Sequence, residues 1–173
     1  MIRMATAADL DGIEAVYDRT HTAEEKGETS IGWIRSIYPK RETAAAAIER
    51  GDLFVQTDES SRIVGTAIIN QVQVDVYASA AWEYDVPENQ VMVLHPLVID
   101  PQVKGKGCGK AFVRYYEEYA LKNGCHYLRM DTNERNTAAR SFYKKLGYRE
   151  IGIHPCEFNG IPGVKLVLLE KKV

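Results

Sequence analysis

Leu97-Val98-Ile99-Asp100-Pro101-Gln102-Val103-Lys104-Gly105-Lys106-Gly107-Cys108-Gly109-Lys110-Ala111-Phe112 is the stretch on which the fold of this chain turns. Three apolar residues give way to Asp-Pro, then to glycines at alternate positions, then to a pattern that puts Phe112, Val113 and Tyr116 on one helical face. The order is strand, loop, helix. Glycine lets the backbone turn tightly and approach a ligand, and the first N–H groups of a helix have no partner within it. An anion suits such a place, and Lys104, Lys106 and Lys110 surround it with positive charge.

Spacing separates the phosphate loops that could claim this stretch. A Walker A loop requires Ser or Thr after its lysine, whereas Lys110 is followed by Ala111. A dinucleotide loop requires G-x-G-x-x-G directly after an early strand, whereas here G-x-G-x-G comes late and stands apart from its strand. The stretch resembles instead the acetyl-CoA loop of the GNAT superfamily of N-acetyltransferases, with Lys104, Gly107 and Gly109 at the basic and small positions. Lys104 stands where the family more often has Arg or Gln. A second motif, Asn136, Ala139, Tyr143, Gly147 and Tyr148, matches the family's N-x-x-A-x-x-x-Y-x-x-x-G-(F/Y) position for position. Helical steps of three and four put Asn136, Ala139 and Tyr143 on one face, where they could meet one extended ligand. The resemblance covers about Val91 to Gly152.

Composition is compatible with this. With 173 residues, 45% of them hydrophobic and 27% charged, the chain reads as one soluble domain, 1–173, able to bury its own core. A net charge of −2 argues against nucleic acid as a partner. Cys108, Cys125 and Cys156 show neither disulfide nor zinc spacing, which fits a reducing cytoplasm, and the scattered histidines suggest no metal. Neither a leader nor a membrane span is evident, so no membrane partner is expected.

Patterning predicts a strand over Ile2–Ala5 and a helix from Thr6 to about Thr22 with Ile13, Val16 and Tyr17 inward. A short helix or turn is expected around Ile31–Ile37, and a helix over Arg41–Arg50 closed by Gly51. Leu53–Gln56 and Ile63–Asn70 read as a hairpin, and Gln71–Gln90 as partly loop. Val91–Ile99 reads as a strand, but Pro96 cannot donate to a ladder, so a gap is expected there. Helix Lys110–Lys122 and strand Tyr127–Asp131 then imply a parallel neighbour. A helix over Thr137–Leu146 and an antiparallel pair, Tyr148–Ile153 with Val164–Glu170, complete a mixed α/β sheet, mostly antiparallel, with one splayed parallel pair flanked by helices.

The resemblance implies a function. Members bind acetyl-CoA in the splay, so backbone groups of Leu97, Val98 and Ile99 would hold the pantetheine. Lys104, Gly105, Lys106, Gly107, Cys108, Gly109 and Lys110 would hold the pyrophosphate, and Asn136, Ala139 and Tyr143 the other wall. The acetyl group would pass directly to a primary amine of a small molecule or peptide. Tyr143 would be the acid and the Val98 N–H the oxyanion donor. For the base, His95 lies beside the splay, and an ordered water chain stands as its rival. Members often pair, so a homodimer is possible. Trp82-Glu83-Tyr84-Asp85 is a candidate for attracting a cationic acceptor, or simply a packed loop. The other readings are an acyl-CoA-binding sensor without turnover and a nucleotide-binding module.

Overall fold

A computed structural model describes residues 1–173. One sheet of eight strands runs through it, and its order is β1-β2-β3-β4-β6-β8-β7, with β5 also on β3. The strands are β1 (Ile2–Met4), β2 (Leu53–Thr57), β3 (Ile63–Asn70), β4 (Val91–Leu94), β5 (Val98–Ile99), β6 (Tyr127–Asn133), β7 (Arg149–Phe158) and β8 (Ile161–Lys172). All neighbours are antiparallel except β4 and β6. No helix is long and apolar enough to cross a membrane.

Period-two alternation distributes the core to both faces. On one face Phe54, Ile69, Met92, Leu94, Leu128 and Met130 pack under α3 (Cys108–Lys122) and α4 (Thr137–Lys145), which contribute Phe112, Tyr116 and Tyr143. On the other face Leu53, Val55 and Ile68 meet Ile13, Val16 and Tyr17 of α1 (Leu10–Glu25) and Ala44 and Ala47 of α2 (Arg41–Arg50). The same face beyond β4 is covered by Tyr38 and by Tyr77 from the irregular segment 71–90.

The expected strand over Val91–Ile99 is two strands. Leu94 pairs with Ile69 and Val98 with Thr66, so this chain carries one residue more than β3 across the same interval. That extra residue is the bulge centred on Pro96. Its effect is to keep β5 on β3 while releasing it from β6, whose last parallel partner is Met130 opposite Leu94. The gap lies beyond that pair. Behind it the strands are tied together by the Tyr116 hydroxyl, which reaches Met92 O at 2.6 Å and Arg129 O at 3.2 Å.

Of the helix or turn expected around 31–37 the structure has the turn, closed by an Ile34–Tyr38 bridge, while two other segments run longer than expected. The first helix runs on to Glu25 because Glu24 is anchored by the N–H groups of Ile31 and Gly32, both at 2.8 Å. The β7–β8 turn uses only Asn159 and Gly160, with φ of 51° and 83°, a left-handed pair suited to a tight hairpin. Both strands therefore extend further than the cluster of turn-forming residues suggested.

Candidate functional site

Two connected spaces occupy the gap. The outer is a groove of about 700 Å³ between the glycine loop and α4, and the inner a cavity of about 110 Å³ under the 31–38 turn. Ile31, Leu97, Asn136, Ala139 and Tyr143 line both.

At the groove's mouth Gly105 and Gly107 adopt φ of 82° and 81°, in the left-handed region that favours glycine. Gly107 caps α3. Lys106 N–H donates to Val103 O and Ala111 N–H to Gly107 O. The N–H groups of Gly105, Gly107, Cys108, Gly109 and Lys110 find no acceptor, in backbone or side chain. Unpaired donors converging at a helix start are an anion cradle. Asp100 sets the loop's departure: its fully buried carboxylate accepts Gln102 N–H at 3.0 Å and pairs with Arg19 at 2.8 Å. Lys104 and Lys110 line the groove; Lys106 does not. Arg135, which sequence reasoning passed over, adds a cation on the opposite wall.

The backbone of β5 corrects one expectation. Asp100 N–H donates to Val64 at 2.9 Å, and the register pairs Val98 with Thr66. By the ladder's alternation the Val98 N–H therefore faces β3, and it can serve neither as oxyanion donor nor as a pantetheine contact. Leu97 and Ile99 direct theirs the other way, and the Leu97 N–H has no backbone acceptor. Pro96 thus aims the amide of Leu97, not that of Val98, into the wedge.

On the far wall Asn136 is the cap of α4 and not part of its face, its Oδ1 accepting Ala139 N–H at 3.2 Å. It still lines both spaces beside Ala139 and Tyr143. Tyr143 is 8% exposed and its hydroxyl makes no hydrogen bond to protein. Burial first, then the nearby Asp131, pushes that hydroxyl's pKa well up. It is held protonated, as a proton donor must be.

His95 follows the last paired residue of β4 and lines the inner cavity. Asn70 Oδ1 already accepts Val72 N–H at 2.9 Å while its Nδ2 donates to Asp52, so the amide is oriented with oxygen toward the imidazole. His95 Nε2–H accordingly donates to it at 2.8 Å, which leaves Nδ1 as an acceptor. Burial lowers the imidazole's pKa, so the ring is neutral at pH 7.

Asp131 was missed. It follows Met130 on β6 and lines the inner cavity, where the Tyr77 hydroxyl donates to Oδ2 at 2.8 Å. Burial pushes its carboxyl up to about 6, with Tyr77 opposing. The available signal was alternation, since Arg129 and Asp131 interleave with core residues Leu128 and Met130. The Trp82–Asp85 segment, by contrast, lines neither space. Trp82 lies over Arg129 at 4.1 Å and Glu83 pairs with Arg149, so these residues serve packing.

Residues 13–148 match the acetyltransferase (GNAT) family. A segment is 31% identical over 84 residues to N-acetylaspartate synthetase of Xenopus tropicalis, covering 49% of this chain and 30% of that protein. Another comparison gives 27% identity over 88 residues with thialysine N-epsilon-acetyltransferase of Bos taurus, covering 49% of this chain and 52% of that protein. The first curated relatives are matched over only 30% to 41% of their own length. Among solved structures, a GNAT family acetyltransferase from Streptococcus agalactiae superposes with a TM-score of 0.83 at 24% identity, covering 100% of this chain and 95% of the other. The ribosomal-protein-S18-alanine N-acetyltransferase from Escherichia coli superposes at 0.67 with 17% identity, covering 100% and 93%. At such identities the likeness is one of fold.

Proposed function

Because the chain belongs to the GNAT acetyltransferase family, we propose that it moves the acetyl group of acetyl-CoA directly to a primary amine of a small molecule or peptide. The observation that carries this is the junction: Leu97, Ala139 and Tyr143 border both the groove and the inner cavity, so a thioester and an amine can meet there. The co-substrate fits the residues present. Unpaired N–H groups from Gly105 to Lys110, with Lys104, Lys110 and Arg135, suit a pyrophosphate. The free amides of Leu97 and Ile99 suit the amide-bearing pantetheine arm.

The chain's residues then divide the work. Leu97 N–H stabilises negative charge developing on the acetyl oxygen. His95 Nδ1 accepts a proton from the acceptor, and the resulting imidazolium is stabilised through Nε2 by Asn70 and, behind it, Asp52. Tyr143 donates a proton to the departing sulfur. Titration of coenzyme A by calorimetry, followed by free-thiol release from acetyl-CoA with a panel of primary amines, tests the proposal. Saturable binding with amine-dependent thiol release is expected. Binding without release for every amine, or no binding, overturns it.

A further inference from the structure

Asp131 is the first residue of β6 beyond the last parallel pair, and with His95 it forms the inner end of the wedge. The buried carboxylates each have an arginine: Asp9 has Arg3, Asp100 has Arg19 and Glu170 has Arg129. Asp131 has none. Its Oδ2 takes the Tyr77 hydroxyl and its Oδ1 takes nothing, although the residue keeps accessible surface in the cavity. A carboxylate withdrawn from water without a cation is costly, and such groups persist where a cationic ligand completes them.

The surroundings specify that ligand. From the 31–38 turn and β7, Trp33, Tyr38 and Phe158 form an aromatic wall, with rings edge to face at 6.1 Å and interplanar angles of 85° and 78°. Aromatic faces attract a cation and accept an apolar body. The cavity of about 110 Å³ is smaller than the roughly 150 Å³ apolar space that can hold benzene. The groups facing Asp131 are Tyr77 from segment 71–90, Tyr38 from the turn, Tyr143 from α4, Cys156 from β7 and His95 beyond β4. None carries positive charge at pH 7, since His95 is neutral there. Arg129, on the same strand, is committed to Glu170, Gln73 and the Tyr84 carbonyl.

We infer that Asp131 is the counter-ion for the acceptor's ammonium group, and that the acceptor presents a compact primary amine on a small apolar body, seated between Asp131 and the Trp33–Tyr38–Phe158 wall. Asp131 selects and positions; His95 takes the proton. The inference rests on the acetyl-transfer reading above.

The test uses the full chain saturated with coenzyme A, titrated with propylamine or with uncharged propan-1-ol, which suit a cavity of about 110 Å³, alongside steady-state acetylation of amines from ethylamine to benzylamine. Asp131→Asn keeps an acceptor for the Tyr77 hydroxyl and should weaken propylamine binding and raise its KM at least about 30-fold, with a much smaller change in kcat. Propan-1-ol should bind both proteins alike, and coenzyme A affinity should not move. In the wild type, kcat/KM should fall as pH drops through about 6, where Asp131 becomes protonated; Asp131→Asn should lose that ionisation and keep only the acid limb set by protonation of His95. Tyr77→Phe, which removes the donor opposing that shift, should move the Asp131 limb to higher pH. Equal propylamine affinity in wild type and Asp131→Asn overturns the inference, as does parallel loss of propan-1-ol. If coenzyme A binds but none of these amines is acetylated, the acceptor class is wrong. If coenzyme A does not bind, the acetyl-transfer reading itself fails.

Discussion

Replacing Gly107 with Ala tests the anion cradle directly. At φ of 81° a Cβ would meet nothing within 4 Å, so the substitution adds no collision, only the left-handed backbone's penalty. That penalty is roughly 1–2 kcal/mol for a residue with a side chain. If the loop holds its shape, stability falls by that amount, about 2–8 °C in Tm for a chain of this size. If the loop relaxes, binding must restore the cap and align its N–H groups, so the same 1–2 kcal/mol appears as a Kd for coenzyme A weakened roughly 5- to 30-fold. Gly51→Ala is the matched control. Its φ is 75°, its Cβ also meets nothing, and it caps α2, whose end does not line the groove. Calorimetry with coenzyme A and thermal melts on both variants should show comparable total penalties, with loss of affinity only at Gly107. Two variants equally destabilised and equally tight toward coenzyme A would refute the idea that the Gly107 turn organises the binding donors.

Tyr143→Phe should lower kcat about 100-fold or more while leaving coenzyme A affinity within a few-fold, as steady-state kinetics and calorimetry together would show. His95→Gln should lower kcat by a similar order yet preserve the kcat/KM limb near pH 6 that belongs to Asp131, in a pH–rate profile. Asp9, held down to about pKa 2 first by its hydrogen bond to the partly exposed Arg3, stabilises the fold above its unfolded pKa near 4 and loses that contribution as pH falls toward 2. Asp9→Asn should therefore cost about 1 kcal/mol in denaturant titrations at pH 7 and little at pH 2, after discounting for solvent around Arg3. Asp131 runs the opposite way: its carboxyl is raised to about 6, so the native state loses stability as pH rises from the unfolded pKa near 4 to about 6, and the full loss is present above that. Asp131→Asn should raise Tm at pH 7.5, by about 1–2 kcal/mol of stability, and the gain should disappear below pH 4.

The glycine loop and the gap were legible because backbone chemistry leaves its mark on residue type. Positive φ at Gly105 and Gly107 favours glycine, and a gap between β5 and β6 follows from a proline that cannot join a ladder. The direction of individual amides was not legible. Whether Val98 or Leu97 faces the wedge depends on where the bulge falls against β3, which is a matter of register. The inner cavity was obscure for a related reason. Asp131 becomes the end of the wedge only because Met130 pairs with Leu94, and Tyr77 reaches it from a segment with no periodicity to read. Trp33, Tyr38 and Phe158 come from a turn and a hairpin far apart in the chain, so no local pattern could have joined them. The Trp82–Asp85 segment had the right composition for a cation site, but Arg129 already occupies its aromatic face.

The two walls of the wedge differ in kind, and this difference follows from how each strand is held. β5 remains on β3, so its groups toward the gap are main-chain donors whose positions the ladder fixes. β6 remains on β8 along its whole length, with Asp131 opposite Leu168, so the side chains it sends into the cavity stand on a backbone that β8 holds in place. Rigid amides are suited to a ligand shared by a whole family, because they depend little on sequence. Side chains on β6, β7 and the 31–38 turn can vary without disturbing the sheet, which suits them to choosing an acceptor. The unpaired amides of the glycine loop and the unpaired Asp131 both cost the native state stability, offset by the core beneath α3 and by the Tyr116 clasp across β4 and β6. On this argument a change at the loop should alter affinity for the donor whatever the acceptor, whereas a change at Asp131 should alter the ranking of acceptors and leave the donor untouched.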